Sequence, residues 1–101
     1  LYTAAKPKKV SGLTAKKKTK NSVKLAWKKT TRADGYQVYR YNSTKKKWEK
    51  VTTIKKGSTV TYTNKKLKSK KTYQYKVRAY RKNGNTTAYG SYSEILKVRT
   101  K

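Results

Sequence analysis

Leu67-Lys68-Ser69-Lys70-Lys71-Thr72-Tyr73-Gln74-Tyr75-Lys76-Val77-Arg78-Ala79-Tyr80 is an apolar anchor, a polar turn and then a strict alternation. On an extended chain Tyr73, Tyr75, Val77 and Ala79 share one side. Gln74, Lys76, Arg78 and Tyr80 share the other, the period of two of a strand buried on one face. An apolar row of this kind needs a second layer to cover it.

The rest of the chain supplies that layer. Runs rich in Val, Tyr, Thr and Trp, separated by turns of Lys, Asn, Gly, Ser and Thr, predict seven strands. They fall over Val10–Ala15, Ser22–Lys28, Tyr36–Tyr41, Trp48–Ile54, Thr59–Thr63, Thr72–Tyr80 and Ile95–Thr100. Val23, Leu25 and Trp27 share one face of the second strand, Tyr36 and Val38 one face of the third, and Leu96 and Val98 one face of the seventh. With Tyr73, Tyr75 and Val77 they close a single sandwich core. The fold class is all-β, a seven-stranded antiparallel Ig-like sandwich. No helical period and no internal repeat is present.

These residues resemble a fibronectin type III domain over roughly residues 7 to 100. Leu67, six residues before Tyr73, has the spacing of a tyrosine corner, and Trp27 stands where the family has its buried tryptophan. Ala33-Asp34-Gly35-Tyr36-Gln37-Val38-Tyr39-Arg40 resembles the turn into the third strand. Tyr89-Gly90-Ser91-Tyr92-Ser93 with Glu94-Ile95-Leu96-Lys97-Val98-Arg99-Thr100 resembles the entry to the last strand and the threonine that often ends the module. The resemblance gives Trp27, Leu67 and Tyr73 structural roles. The family usually has proline two residues after the corner leucine and a small polar residue two further on. Ser69 and Lys71 stand there instead, which predicts a looser corner. The Lys- and Tyr-rich wording resembles modules of Gram-positive surface and secreted proteins, which sit in tandem beside enzymes, adhesins or carbohydrate-binding domains.

At 101 residues the chain holds one small core. Residues 1–8, with the only proline at Pro7, read as a linker, and residues 9–101 as the domain. No cysteine is present, so packing alone must hold an extracellular module together. Apolar residues make up only 33%, and ten tyrosines and two tryptophans supply much of the buriable area. No apolar run approaches the ~20 residues that span a bilayer, so a soluble chain is expected, with any secretion or anchoring signal outside it.

Thirty Lys and Arg against three acids give a formal charge of +27. Repulsion on this scale opposes compaction within a Debye length of about 8 Å and draws polyanions near. The plainer function of dispersed lysines is solubility and protection of strand edges.

With no His and no Cys, Ser–His and Cys–His dyads and the common zinc sites are excluded, and no phosphate-binding glycine loop or dinucleotide fingerprint occurs. Asp34, Glu49 and Glu94 fall in different strands or turns, and Asp34 before Gly35 reads as a turn residue. No enzyme and no cofactor or metal is expected.

The sharper feature is the outward face of the third, sixth and seventh strands. Alternation places Tyr39, Tyr41, Lys76, Arg78, Tyr80, Lys97 and Arg99 there, rings beside cations, a candidate ligand face for sugars or polyanions. The competing reading is that these neighbours only stabilise the sheet, lysine stems covering the rings. Arg81 to Gly90 reads as a scaffold loop around the Asn83-Gly84 turn signal, without an Arg-Gly-Asp tripeptide. Asn42-Ser43-Thr44 and Asn85-Thr86-Thr87 fit the N-glycosylation pattern, normally idle in bacteria. Nucleic-acid contacts are expected to be charge-driven and unspecific, since no recognition helix or ribonucleoprotein motif occurs.

The sequence therefore predicts a non-catalytic, extracellular spacer or interaction module of a larger bacterial cell-surface or secreted protein. It is expected to be monomeric, with neighbouring domains of the parent chain as partners. Two alternatives stay open. One is a binding module for anionic cell-wall polymers or polysaccharide; the other is an accessory domain of a carbohydrate-active enzyme.

Overall fold

The computed structural model describes residues 7–101, apart from the Asn83 side chain. Among the described residues eight strands are formed: β1 (Thr14–Lys18), β2 (Val23–Ala26), β3 (Gly35–Asn42), β4 (Lys47–Ile54), β5 (Thr61–Asn64), β6 (Thr72–Asn83), β7 (Thr86–Tyr89) and β8 (Leu96–Arg99). One sheet has the order β1-β2-β5; in the other β4-β3-β6 is flanked by β7 and β8, both paired to β6. All pairings are antiparallel.

The core lies between the sheets because every strand that pairs centrally turns its apolar row inward. Val23, Leu25, Tyr36, Val38, Tyr75, Val77, Ala79 and Val10 are fully buried, and Trp27, Leu67, Tyr73 and Val98 nearly so. The Trp27 ring meets Tyr36 edge-on at 5.4 Å. Tyr36 then uses its hydroxyl twice, donating to Gly57 O (2.9 Å) and accepting from Thr30 N (3.0 Å). Trp27 Nε1 is buried with no hydrogen-bond partner among the described residues, so the ring contributes through packing alone.

The strand boundaries differ from the sequence expectation in three places. The sixth strand runs three residues past Tyr80, and Thr86–Tyr89, expected as loop, pairs back onto it around Gly84, whose φ of +62° suits a tight hairpin. The last edge is thus split in two, and eight strands replace seven. The first strand pairs over Thr14–Lys18 with an irregularity between Ala15 and Lys17, while Val10 is buried ahead of it. Apolar content marked Val10–Ala15, but the backbone partners lie further on. Of the proposed linker, residues 1–6 lie outside the described residues. Pro7 is buried, its carbonyl 2.7 Å from where a side chain on Gly90 would begin.

Candidate binding face and the tyrosine corner

At the corner, Tyr73 lies against the core and its hydroxyl accepts a hydrogen bond from Lys68 N (2.8 Å). Leu67 is buried, and its amide donates to Asn21 O (2.8 Å). The expected looseness at Ser69 and Lys71 is absent, because Lys101 and Thr100 tie them down. Ser69 Oγ donates to Lys101 O (2.6 Å), Lys71 N donates to Thr100 Oγ1 (3.1 Å), and Thr100 Oγ1 donates to Lys68 O. Thr100, buried at 3% exposure, supplies by hydrogen bonding the constraint that a proline ring imposes covalently.

On the outer face of the larger sheet, register sets Tyr39 opposite Lys76 and Gln37 opposite Arg78. On the far side of β3, Tyr41 faces Trp48. The rings close around the cations. Lys76 Nζ lies 3.9 Å from the centre of the Tyr92 ring and 4.5 Å from that of Trp48. Arg78 Cζ lies 4.0 Å from Tyr89, 5.0 Å from Tyr92 and 5.5 Å from Tyr39. Its Nε donates to Gln37 Oε1 (2.8 Å) and its Nη2 to Tyr39 Oη (3.2 Å). Edge-on pairs, Tyr39 with Tyr92 at 5.3 Å and Tyr41 with Trp48 at 5.4 Å, complete the ladder. Burial, reinforced by the Arg78 charge and opposed by Tyr39, holds the Lys76 ammonium below the ordinary lysine pKa. Burial likewise pushes the Tyr92 phenol up.

Of the seven residues expected on this face, four are brought together and three are not. Tyr39, Tyr41, Lys76 and Arg78 belong to the ladder. Tyr80 does not: it is 5% exposed, because its ring lies over Gly35 and its hydroxyl reaches Ile54 O (3.5 Å). Lys97 and Arg99 are exposed on β8 opposite Gln74 and Thr72, outside the ring contacts. Trp48, Tyr89, Tyr92 and Gln37 were missed. Strand alternation with a known register finds Trp48 and Gln37. Tyr92 lies between β7 and β8, where no periodicity reports direction.

The three acids are far apart in use. Asp34 Oδ2 accepts from Lys82 N (2.7 Å), and Glu94 pairs with Lys9 at 3.9 Å in solvent. Glu49 pairs with Lys45 at 3.7 Å. The Asn42 hydrogen bond (2.9 Å), followed by the charges of Lys45, Lys47 and Arg40, holds the Glu49 carboxyl below its ordinary pKa. Among the described residues no group of three or more potential metal ligands is formed.

A three-strand sheet packed on a larger one, antiparallel throughout, with a tyrosine corner on β6, defines an Ig-like sandwich module. The chain belongs to the fibronectin type III domain family, whose model matches residues 6–95. No curated protein matches it. It is similar in structure to the domain of human fibronectin type III domain containing protein 3, with TM-score 0.77 and 19% identity, over 98% of this chain and 90% of that one. It is also similar to the chicken CNTN1 FN1-FN3 domains, with TM-score 0.75 and 16% identity, over 92% of this chain and 30% of that one. Domains from titin match with TM-score 0.65 and 23% identity, over 90% of this chain and 32% of theirs. At these identities the likeness is one of fold. The family is typically a module within multi-domain proteins and is generally non-catalytic.

Proposed function

We propose that this chain is a non-catalytic extracellular module that spaces, orients or links other domains of a larger bacterial cell-surface or secreted protein. The observation that carries the reading is the occupied outer face: Lys76 stands between Trp48 and Tyr92, and Arg78 against Tyr89. A sugar ring stacking there has first to displace the protein's own cations from their rings. The dispersed exposed lysines fit a solubilising role, and an autonomous core without cross-links fits a module strung between others. The Lys- and Tyr-rich wording supports the Gram-positive setting, and neighbouring domains are the partners this reading requires.

The test is polyanion and glycan binding as salt rises from about 50 to 200 mM. Heparin, DNA and teichoic acid are expected to bind alike, with affinity falling in parallel, and neutral glycans not at all. The double variant Tyr39→Ala, Tyr41→Ala is expected to change none of this. Salt-resistant binding of one ligand class, lost with those two rings, establishes the alternative of a binding module or enzyme accessory domain.

A further inference from the structure

We infer that the groove between the end of β3 and the β5–β6 corner seats a single tetrahedral oxyanion, the phosphate or sulfate ester of a polyanionic chain. It lies away from the aromatic ladder and stands whether or not the module is a spacer.

Arg40 is the reason. It follows Tyr36 and Val38 on the inward row of β3, so its guanidinium emerges at the open end of the sandwich, half-buried. Nη1 donates to Oδ1 of the buried Asn64 (3.0 Å), an oxygen already held by the Tyr75 hydroxyl (2.7 Å). The guanidinium also lies 5.6 Å from the centre of the Tyr73 ring. It is therefore fixed on one side by an amide and on another by a ring. A partly buried arginine is ordinarily paired with a carboxylate. The ion pairs among the described residues are Lys9–Glu94 and Lys45–Glu49, and neither involves Arg40.

Arg40 lines a groove of about 260 Å³ whose lining also includes Lys66, Lys68 and Lys71 and no carboxylate. Glu49 is the cross-strand neighbour of Arg40 and feels its charge, but it forms no ion pair with it, its oxygens being engaged by Asn42 and Lys45. Lys71 Nζ lies 5.4 Å from the same Tyr73 ring that Arg40 approaches, so two like charges share one ring and repel. An anion between them turns that repulsion into two attractions. The planar fork of arginine matches two oxygens of an anion. A carboxylate is then used up, whereas phosphate or sulfate keeps further oxygens for the lysines. The volume falls below the roughly 300–1,000 Å³ of small-molecule pockets, which suits one ester group and part of its sugar or glycerol.

The experiment titrates the labelled domain, followed by amide NMR at about 150 mM salt, with inorganic phosphate, inorganic sulfate, a short glycerol-phosphate oligomer and polyglutamate. Shifts are expected to concentrate at Arg40, Lys68 and Lys71 with the phosphate and sulfate ligands, and not with polyglutamate. Arg40→Gln keeps a donor for Asn64 and is expected to weaken oligomer binding about tenfold. The control pair Lys17→Gln, Lys18→Gln removes more charge from β1 and is expected to weaken it less than about twofold. Should Arg40→Gln fail to fold, the exposed pair Lys68→Gln, Lys71→Gln takes its place with the same expected loss. Equal losses in the control, shifts spread over every strand, equal binding of polyglutamate, or response to the free ions without the oligomer each overturn the proposal.

Discussion

Tyr80 and Gly35 face each other across β6 and β3, and the tyrosine occupies the space that a side chain at position 35 needs. A Cβ there meets the Tyr80 hydroxyl at 2.5 Å, its ring at 2.7 Å, and the backbone oxygen of Ile54 closer still. The ring can swing away but the Ile54 carbonyl cannot. Gly35→Ala is expected to cost roughly 3 kcal/mol in denaturant unfolding. A loss under about 1 kcal/mol shows that β3 and β4 separate more easily than their pairing implies.

Trp27 and Trp48 divide the tryptophan signal. Trp27 is 5% exposed in the core cluster, whereas Trp48 is half-buried on the outer face. Trp27→Ala is expected to cost about 3–5 kcal/mol, enough to unfold much of a small domain, and Trp48→Ala distinctly less. Iodide should quench Trp48 first. Equal quenching contradicts the burial of Trp27.

The corner gives a paired test. Tyr73→Phe removes the acceptor of the Lys68 amide and is expected to cost about 1 kcal/mol. Thr100→Val keeps the shape but leaves Lys71 N and Lys68 O without their hydroxyl partner, for about 1–2 kcal/mol. If Thr100→Val is neutral by thermal melting, the Thr100 hydroxyl does not close the corner.

What was legible in the sequence was whatever obeys a period. Tyr73 to Ala79 alternate, and β6 is where alternation placed it, its inward row buried. The tyrosine-corner spacing likewise needed no partner to be read. The face failed at Tyr80 because direction does not fix exposure: the residue points outward, but a glycine opposite leaves a hollow into which the ring folds. Tyr92 failed for the converse reason, since the break between β7 and β8 carries no alternation. The anchoring of Ser69 and Lys71 by Thr100 and Lys101 was hidden because about thirty residues separate the partners in sequence.

The alkaline limb of stability is expected to report Tyr75. Burial pushes its phenol up to about 12, its hydroxyl donating to Asn64 Oδ1. A folded-state value above the unfolded value of about 10 means that the folded chain keeps a proton the unfolded chain releases. The contribution is full below pH 10 and is lost as pH rises towards 12, up to about 2 kcal/mol. The advantage of the wild type over Tyr75→Phe is expected to shrink across that window in denaturant melts. A constant difference shows that the phenol ionises equally in both states.

The last prediction concerns whether the ladder stabilises the sheet or merely lies on it. Lys76 reaches Tyr92 at 3.9 Å and Trp48 at 4.5 Å, and burial already holds its ammonium below the ordinary lysine pKa. The attraction of the rings must offset that desolvation, or the stem would swing the charge into water. A double-mutant cycle with Lys76→Met and Tyr92→Leu is expected to give a coupling of about 0.5–1 kcal/mol. Methionine keeps the apolar stem, so the cycle isolates the charge. Because cation and ring are in contact, the coupling should persist at high salt, which screens only the longer-range repulsion among the lysines. A coupling near zero means that the ammonium leaves the rings without cost. Tyr92 and Trp48 are then free to stack on a ligand, and the outer face becomes the binding site that the spacer reading denies.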